Sequence, residues 1–232
     1  MLKSGAEILW ECLVREGVEV VFGYPGGAIM PAYDAMLNYP VHHVLVRHEQ
    51  GAAHMADGYA RATGKVGVAI ATSGPGATNL VTGIATAMMD SSPIVCITGQ
   101  VAITAIGGDA FQETDVTGIT LPITKHNYLV SSASEMAEVV REAFYIARSG
   151  RPGPVVIDIC KNAQIEKVEF EYPEDVELPG YHPPQHAPLS DVQHAAELIN
   201  QAERPVILAG HGVLKSHAMA ELMEFATKTQ TP

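Results

Sequence analysis

Glu49 stands where solvation alone gives little reason for an acid. It follows the apolar stretch HHVLV and opens the small-residue run of RHEQGAAHMADGYARATG (47–64). One reading is a carboxylate favoured by a helix dipole, worth under about 1 kcal/mol at an exposed site. The other is a carboxylate at the carboxyl end of a strand, half buried by Gly51, Ala52 and Ala53, with its pKa raised by desolvation so that it shares a proton with a ligand nitrogen. The residues taken alone leave these two readings even.

Two glycine loops stand near it in the chain. In GYPGGAIMP (23–31), Gly26 and Gly27 after Pro25 allow close backbone approach, and amides at the following helix start could face an anion or a carbonyl. A plain strand-to-helix turn explains the same residues. In SGPGATNL (73–80), Gly74 and Gly76 flank Pro75 at a helix start, and Thr78 and Asn79 offer local hydrogen bonds. This loop fits neither GxGxxG nor the P-loop, since no Gly-Lys-Ser/Thr follows, which disfavours a dinucleotide or ATP site. His48 and His54 are spaced HEx4H rather than HExxH. Six helical residues turn through about 600°, so the two imidazoles face different ways and a zinc site is rejected.

The elements that must position these residues alternate. A helix from Ser4 to Gly17 feeds the strand VEVVFG. Then come a helix over 28–37, the strand HHVLV, a helix over 51–62, the strand VGVAIAT, a helix over 77–89 and the strand PIVCITG. After the irregular stretch QVAITAIGGDAFQETDVTGIT (100–120), the strand HNYLVS, a helix over 135–148 and the strand PVVIDI close the unit. Apolar strands separated by helices predict an α/β fold, a doubly wound parallel sheet with ligands beyond the carboxyl ends of its strands. Residues 1–165 form this domain. Residues 166–189, rich in Glu, Pro and His, read as an extended linker, with His182 and His186 solvated there and His194 just beyond. From Ser190, the expected N-cap of a helix, a second unit offers the strand PVILAG and a helix over 215–228. One strand and two helices do not complete a domain, so residues 190–232 read as the start of a second α/β domain.

Bulk composition narrows the classes. Of 232 residues, 47% are hydrophobic and 17% charged, a globular balance, and the net charge is -12 from 14 basic and 26 acidic residues. No Lys/Arg cluster offers a footprint for nucleic acid or an anionic membrane. Cys12, Cys96 and Cys160 form no CxxC pair, which argues against a disulfide framework and for a reducing compartment. The start carries acids within its apolar pattern and lacks a signal-peptide core, so a cytoplasmic protein is expected.

Five stretches in order, GYPGGAIMPAYDAM (23–36), RHEQGAAHMADGYARATGKVGVAIATSGPGATNL (47–80), PIVCITGQV (93–101), GGDAFQETD (107–115) and SGRPGPVVIDICK (149–161), resemble the acetolactate synthase (acetohydroxyacid synthase) large-subunit family of thiamine-diphosphate enzymes. The likeness spans the chain nearly without gaps. It departs at Cys160 and Asn162, where the family commonly has proline and aspartate, and at Gly108, where a hydroxyl residue is usual. The resemblance implies that 1–165 is the pyrimidine-binding domain and that 190–232 begins a central domain that holds FAD. It implies that Glu49 hydrogen-bonds N1′ of the cofactor's aminopyrimidine and so promotes deprotonation of the thiazolium. Gly27 is then placed beside the reacting carbons, Phe111 and Gln112 at the active-site entrance, Lys161 near the substrate channel and Arg151 against the flavin. Pro25, Gly26, Gly74, Asn79 and Gln112 are implied in cofactor binding. The implied reaction joins a two-carbon unit from pyruvate to pyruvate or 2-oxobutyrate. Magnesium would be held by a carboxy-terminal domain outside this chain, supplied by a neighbouring subunit of a homodimer or larger homo-oligomer, with room for a regulatory small subunit. The alternatives are a catalytically silent binding or dimerisation module and another thiamine-diphosphate carboligase or oxidase.

Overall fold

Ser4 shows how local sequence starts the scaffold. In the computed structural model, which describes residues 1–184 and 186–232, β1 (Leu2–Ser4) runs into a capping box. The Ser4 side chain accepts from the Glu7 N–H, and the Glu7 carboxylate accepts from the Ser4 N–H at 2.7 Å. Helix α1 (Gly5–Arg15) buries Ile8, Leu9, Cys12 and Leu13 at helical spacing and stops ahead of Gly17, whose φ of 80° suits glycine. There follow β2 (Val20–Gly23), α2 (Met30–Met36), β3 (His42–Leu45), α3 (Glu49–Thr63), β4 (Gly67–Ala71), α4 (Pro75–Asn79), α5 (Val81–Met89) and β5 (Ile94–Gln100). After a long loop come α6 (Val116–Thr120), β6 (His126–Val130), α7 (Met136–Arg148), β7 (Val155–Cys160), α8 (Lys161–Ile165) and β8 (Lys167–Glu169).

Six strands form one sheet in the order β3-β2-β4-β5-β7-β6, every pair parallel, as the alternation of elements predicts. The interior strands β4, β5 and β7 are buried along their whole length, which is why their sequences are mostly apolar without alternation. The two faces differ in bulk. One carries α1, α2 and α7 over Val68, Ile70, Val95, Ile97 and Ile157, with Trp10 and Phe144 fully buried. The other carries α3 and α5 over Ala69, Ala71 and Cys96. Its small residues bring backbones together: a Cβ on Gly67 would lie 2.0 Å from the Ala56 carbonyl oxygen, and one on Gly83 2.4 Å from the Ala53 Cβ. The alanines after Glu49 therefore seat α3 on the sheet and on α5. Because α2 leaves β2 for one face while α4 and α5 follow adjacent β4 to the other, the crevice between the carboxyl ends of β2 and β4 is a topological switch point.

Several local expectations are corrected. The helix expected over 28–37 begins at Met30, since the Ala28 N–H donates to Thr72 Oγ1 instead of starting a helix. The helix expected over 77–89 is two, α4 and α5, adjoining at Leu80. Residues 166–183, expected as a linker, lie on the first unit. β8 pairs antiparallel with β1, and Phe170, Tyr172, Leu178 and Tyr181 pack against the core, with Arg15 over the rings of Phe170 and Tyr172. Aromatic side chains spaced among the prolines make this possible.

The chain divides into a unit of 1–183 and a second of 184–232. The second contains α9 (Leu189–Gln201), α10 (Gly212–Lys215) and α11 (Met219–Thr229). Helix α9 starts directly after Pro188, so Ser190 lies inside it and is not its cap. The expected strand PVILAG is not a strand, because it finds no ladder partner among the described residues of its unit. The expected helix over 215–228 is broken at Ser216–Ala218, where His217 takes a φ of 56°. Among the described residues, no helix is long and apolar enough to cross a membrane.

Candidate functional site

Glu49 is the first residue of α3, just beyond the carboxyl end of β3. The N-cap is His48, extended, with Nδ1 accepting from the Gln50 N–H at 3.2 Å; an imidazole does here what serine or aspartate does elsewhere. That leaves Glu49 free to turn inward, where it is 9% exposed. Its Oε2 accepts from Asn79 Nδ2 at 2.9 Å, and Oε1 lies over Gly76, 3.4 Å from where a Cβ would be. No cation pairs with it among the described residues. Gly51, expected to help bury it, faces open space; α4 does so instead. Tyr33 lies close enough that burial, and after it the Glu49 charge, pushes its phenol above the usual range.

The YPGG loop is held from three sides. Thr72 Oγ1 accepts from the Ala28 N–H at 3.3 Å, Gln164 Nε2 donates to the Ala28 carbonyl at 2.8 Å, and a Cβ on Gly99 would lie 2.8 Å from Ala28 C and Ile29 N. Gly26 is pressed on Thr72, with 2.5 Å between a would-be Cβ and the threonine Cβ. Gly27 alone opens outward: a Cβ there would meet nothing within 4 Å. Pro25 beside it is exposed. On the β4 side, Gly74 has a φ of 54°, and a Cβ on it would lie 2.5 Å from the Gln112 carbonyl oxygen. Gln112 itself holds a φ of 59°, a left-handed conformation that non-glycine residues keep only where the surroundings impose it.

The structure thus links Glu49, Asn79, Gly76, Gly26 and Gly27 around Thr72, with Gln112 against Gly74. Lys161 opens α8 at the same end of the sheet, exposed and in no ion pair among the described residues. Arg151 is not brought to this cluster. It precedes β7 at the amino end of the sheet, donating from Nε to Ser91 Oγ at 2.7 Å and from Nη2 to the Met89 carbonyl. His48 and His54 are exposed, and among the described residues no three His, Cys, Asp or Glu side chains converge to hold a metal.

Sequence reasoning missed Thr72, Gln164 and a buried trio. Asp158, 1% exposed, accepts from Thr98 Oγ1 at 2.6 Å and from Gln100 Nε2 at 2.9 Å, and Gln100 Nε2 also donates to the Thr114 carbonyl at 2.8 Å. Burial pushes the Asp158 carboxyl up to about 6 against these two donors. The available signal was a carboxylate inside VVIDIC and polar residues at alternate positions of ITGQ, in strands otherwise apolar.

Chemically, a buried carboxylate with one neutral amide donor and a second oxygen that takes no hydrogen bond from the described residues is set to bind a ligand N–H or share its proton. The bare Gly27 backbone beyond it leaves room for a planar ring and a small substrate. The neutral aminopyrimidine ring of thiamine, with nitrogens at its edge, fits such a carboxylate.

The comparisons with known proteins agree. The model of the thiamine pyrophosphate enzyme N-terminal TPP binding domain matches residues 3–119, and that of the thiamine pyrophosphate enzyme central domain matches residues 192–232. Acetolactate synthase of Arthrospira platensis is 52% identical over 236 residues, covering 99% of this chain and 41% of the relative. The acetolactate synthase large subunit of Corynebacterium glutamicum is 49% identical over 230 residues, 99% of this chain and 37% of its own. Acetolactate synthase of Mycobacterium bovis is 52% identical over 230 residues, with the same two shares. The chain spans about two fifths of the length of these relatives. With a matching first domain, a matching start of the central domain and a buried glutamate at the switch point, this chain belongs to the thiamine pyrophosphate enzyme family.

Proposed function

We propose that this chain is the amino-terminal part of an acetolactate synthase large subunit. The whole protein would decarboxylate pyruvate and join the two-carbon unit to a second 2-oxo acid, giving 2-acetolactate from pyruvate or 2-aceto-2-hydroxybutyrate from 2-oxobutyrate. The observation that carries the reading is Glu49, buried with the Asn79 amide as its one hydrogen-bond partner among the described residues, beside the open backbone of Gly27. Bound thiamine diphosphate supplies an acidic thiazolium carbon that adds to the carbonyl of a 2-oxo acid.

Glu49 shares a proton with the ring nitrogen of the aminopyrimidine, and Asn79 fixes the orientation of its carboxylate. Pro25, Gly26 and Gly74 form backbone walls for the ring. Gly27, lacking a side chain, leaves space for the substrate carbons. Gln112, held on Gly74, and Phe111, 88% exposed, line the entrance, with Lys161 farther along the same rim. Magnesium and the diphosphate are held by a carboxy-terminal domain of a neighbouring subunit, which makes the working protein a homodimer or larger homo-oligomer, cytoplasmic and open to a regulatory small subunit. Arg151, at the other end of the sheet, serves the FAD of the central domain. The similarity of this chain to relatives bearing the synthase name supports that branch over other carboligases and oxidases.

The test is acetolactate formation from pyruvate with thiamine diphosphate, magnesium and FAD, by this chain alone and mixed with a separately produced carboxy-terminal portion. Product only in the mixture, abolished by Glu49→Gln, is expected. A folded chain silent in both settings would instead make it a binding or dimerisation module.

A further inference from the structure

We propose that Asp158 is a positioning residue: through Gln100 it holds the segment 101–115, and with it Gln112, against the glycine loop after β4. The inference rests on the reading of Gln112 as a residue of the active-site entrance.

The geometry forms a continuous strut. Thr98, Gln100 and Asp158 point to the same face at the carboxyl ends of β5 and β7, where the register sets Thr98 opposite Asp158. Both oxygens of the buried carboxylate are engaged, one by the Thr98 hydroxyl and one by the Gln100 amide. The same amide nitrogen donates to the Thr114 carbonyl, while Gln100 Oε1 accepts from the Val101 N–H at 2.8 Å. Gln100 therefore grips both ends of the segment, at Val101 and at Thr114, and Asp158 fixes Gln100. Between these ends the chain has little regular structure, a short 3-10 turn at Ile103–Ala105 apart. Glu113 accepts from the backbone N–H groups of Gly107 and, at 2.9 Å, Ala110, which shapes the tip but ties it only to itself. A cavity of about 230 Å³, lined by Ile106, Glu113, Thr114, Leu129 and Asp158 among others, lies beneath, so packing alone does not pin the segment. Two residues of the segment, Asp109 and Gln112, are held at φ 53° and 59°, conformations that relax once the restraint is lost. Asp158 touches neither the proposed substrate nor the ring; it acts through Gln100.

The test is hydrogen exchange followed by mass spectrometry on the 232-residue chain. In Asp158→Ala, the amides of Gly107, Ala110 and Glu113 should exchange at least tenfold faster, while those of β4 and β5 stay within threefold. Asp158→Asn, which can donate to Thr98 and accept from Gln100, should restore protection. Gln100→Met, which keeps volume and leaves Asp158 paired with Thr98, should loosen the same amides and covers the case in which the alanine variant does not fold. Unchanged exchange in both loosening variants, or acceleration that β4 and β5 share equally, overturns the proposal. In the assembled enzyme, Gln100→Met should raise KM for pyruvate about tenfold or more, with cofactor affinity within threefold of the parent. Local loosening with unchanged KM and kcat would also overturn it. If the parent assembly forms no acetolactate, the functional reading fails, and the exchange data still decide whether the strut exists.

Discussion

The two ends of the one sheet treat their acids differently. At the amino end, carboxylates meet cations: Asp57 and Asp90 share Arg61, Glu16 takes Arg141 and Arg148, and Glu19 pairs with Lys65. At the carboxyl end three acids meet neutral donors among the described residues: Glu49 has the Asn79 amide, Asp158 a hydroxyl and an amide, and Glu113 backbone N–H groups. The buried pair Asp57 and Asp158 shows a consequence in proton affinity, while Glu113 is held below its ordinary value by the backbone N–H groups it accepts from. Burial would raise Asp57, but the Arg61 guanidinium outweighs it and holds the carboxyl below its ordinary value, whereas burial wins at Asp158. One end is neutralised scaffold. The other keeps acids available for a ligand, as a site for proton sharing requires.

The strongest way to break this contrast is to fill the open glycine of the YPGG loop. Gly27→Leu should leave the melting temperature of the chain unchanged, because a Cβ there meets nothing, while turnover of the assembled protein falls a hundredfold or more. A scan and a turnover assay on the same preparation separate the two effects. If stability falls with activity, Gly27 is a packing residue like Gly67.

Next is the pH dependence. The folded-state value of Asp158, about 6, lies above the ordinary 3.8, so between these the folded chain holds a proton that the unfolded chain has released. Stability should therefore fall as pH rises through that window and level off above it. Asp158→Asn removes this part of the slope, and the parent should lose roughly 3 kcal/mol relative to the variant between the two limits. Denaturant titrations across the window check it. The depressed Asp57 has the opposite sign, its contribution disappearing only as pH falls below the ordinary aspartate range. Identical slopes in the parent and in Asp158→Asn would mean that Asp158 titrates normally.

Gly74→Ala places a methyl against the Gln112 carbonyl at a φ that disfavours side chains, and about 1–2 kcal/mol of stability should be lost. Arg61→Ala, at the neutralised end, should cost about 2 kcal/mol or more, because it leaves the buried Asp57 carboxylate without its cation, and should leave turnover untouched. Equal catalytic losses from both would erase the distinction between the ends.

Much of this was legible in the sequence because it lies in contiguous patterns. Apolar runs alternating with helical spacing gave the parallel sheet, and the glycine loops marked its carboxyl end. Glu49 was visible as an acid in a small-residue setting, although those alanines turn out to seat α3. The rest depends on partners distant in the chain. Thr72 reaches Ala28 across 44 positions, Gln164 reaches it across 136, and Asp158 meets Thr98 across 60. No local rule reveals such pairs. The stretch 205–210 has strand-like composition, yet a strand exists only where a neighbour completes its hydrogen bonds, and none is present among the described residues. Residues 166–183 failed as a linker because their rings find arginine and the core only after folding.

The central claim is that the carboxyl-end acid Glu49 controls a proton on the bound cofactor. Its most direct test is the rate at which the thiazolium C2 hydrogen of thiamine diphosphate exchanges for deuterium in the assembled protein, followed by quenching and proton NMR, for the parent and for Glu49→Gln. The account predicts exchange slower by about a hundredfold or more in the variant with the cofactor still bound. Equal rates in the two would contradict it.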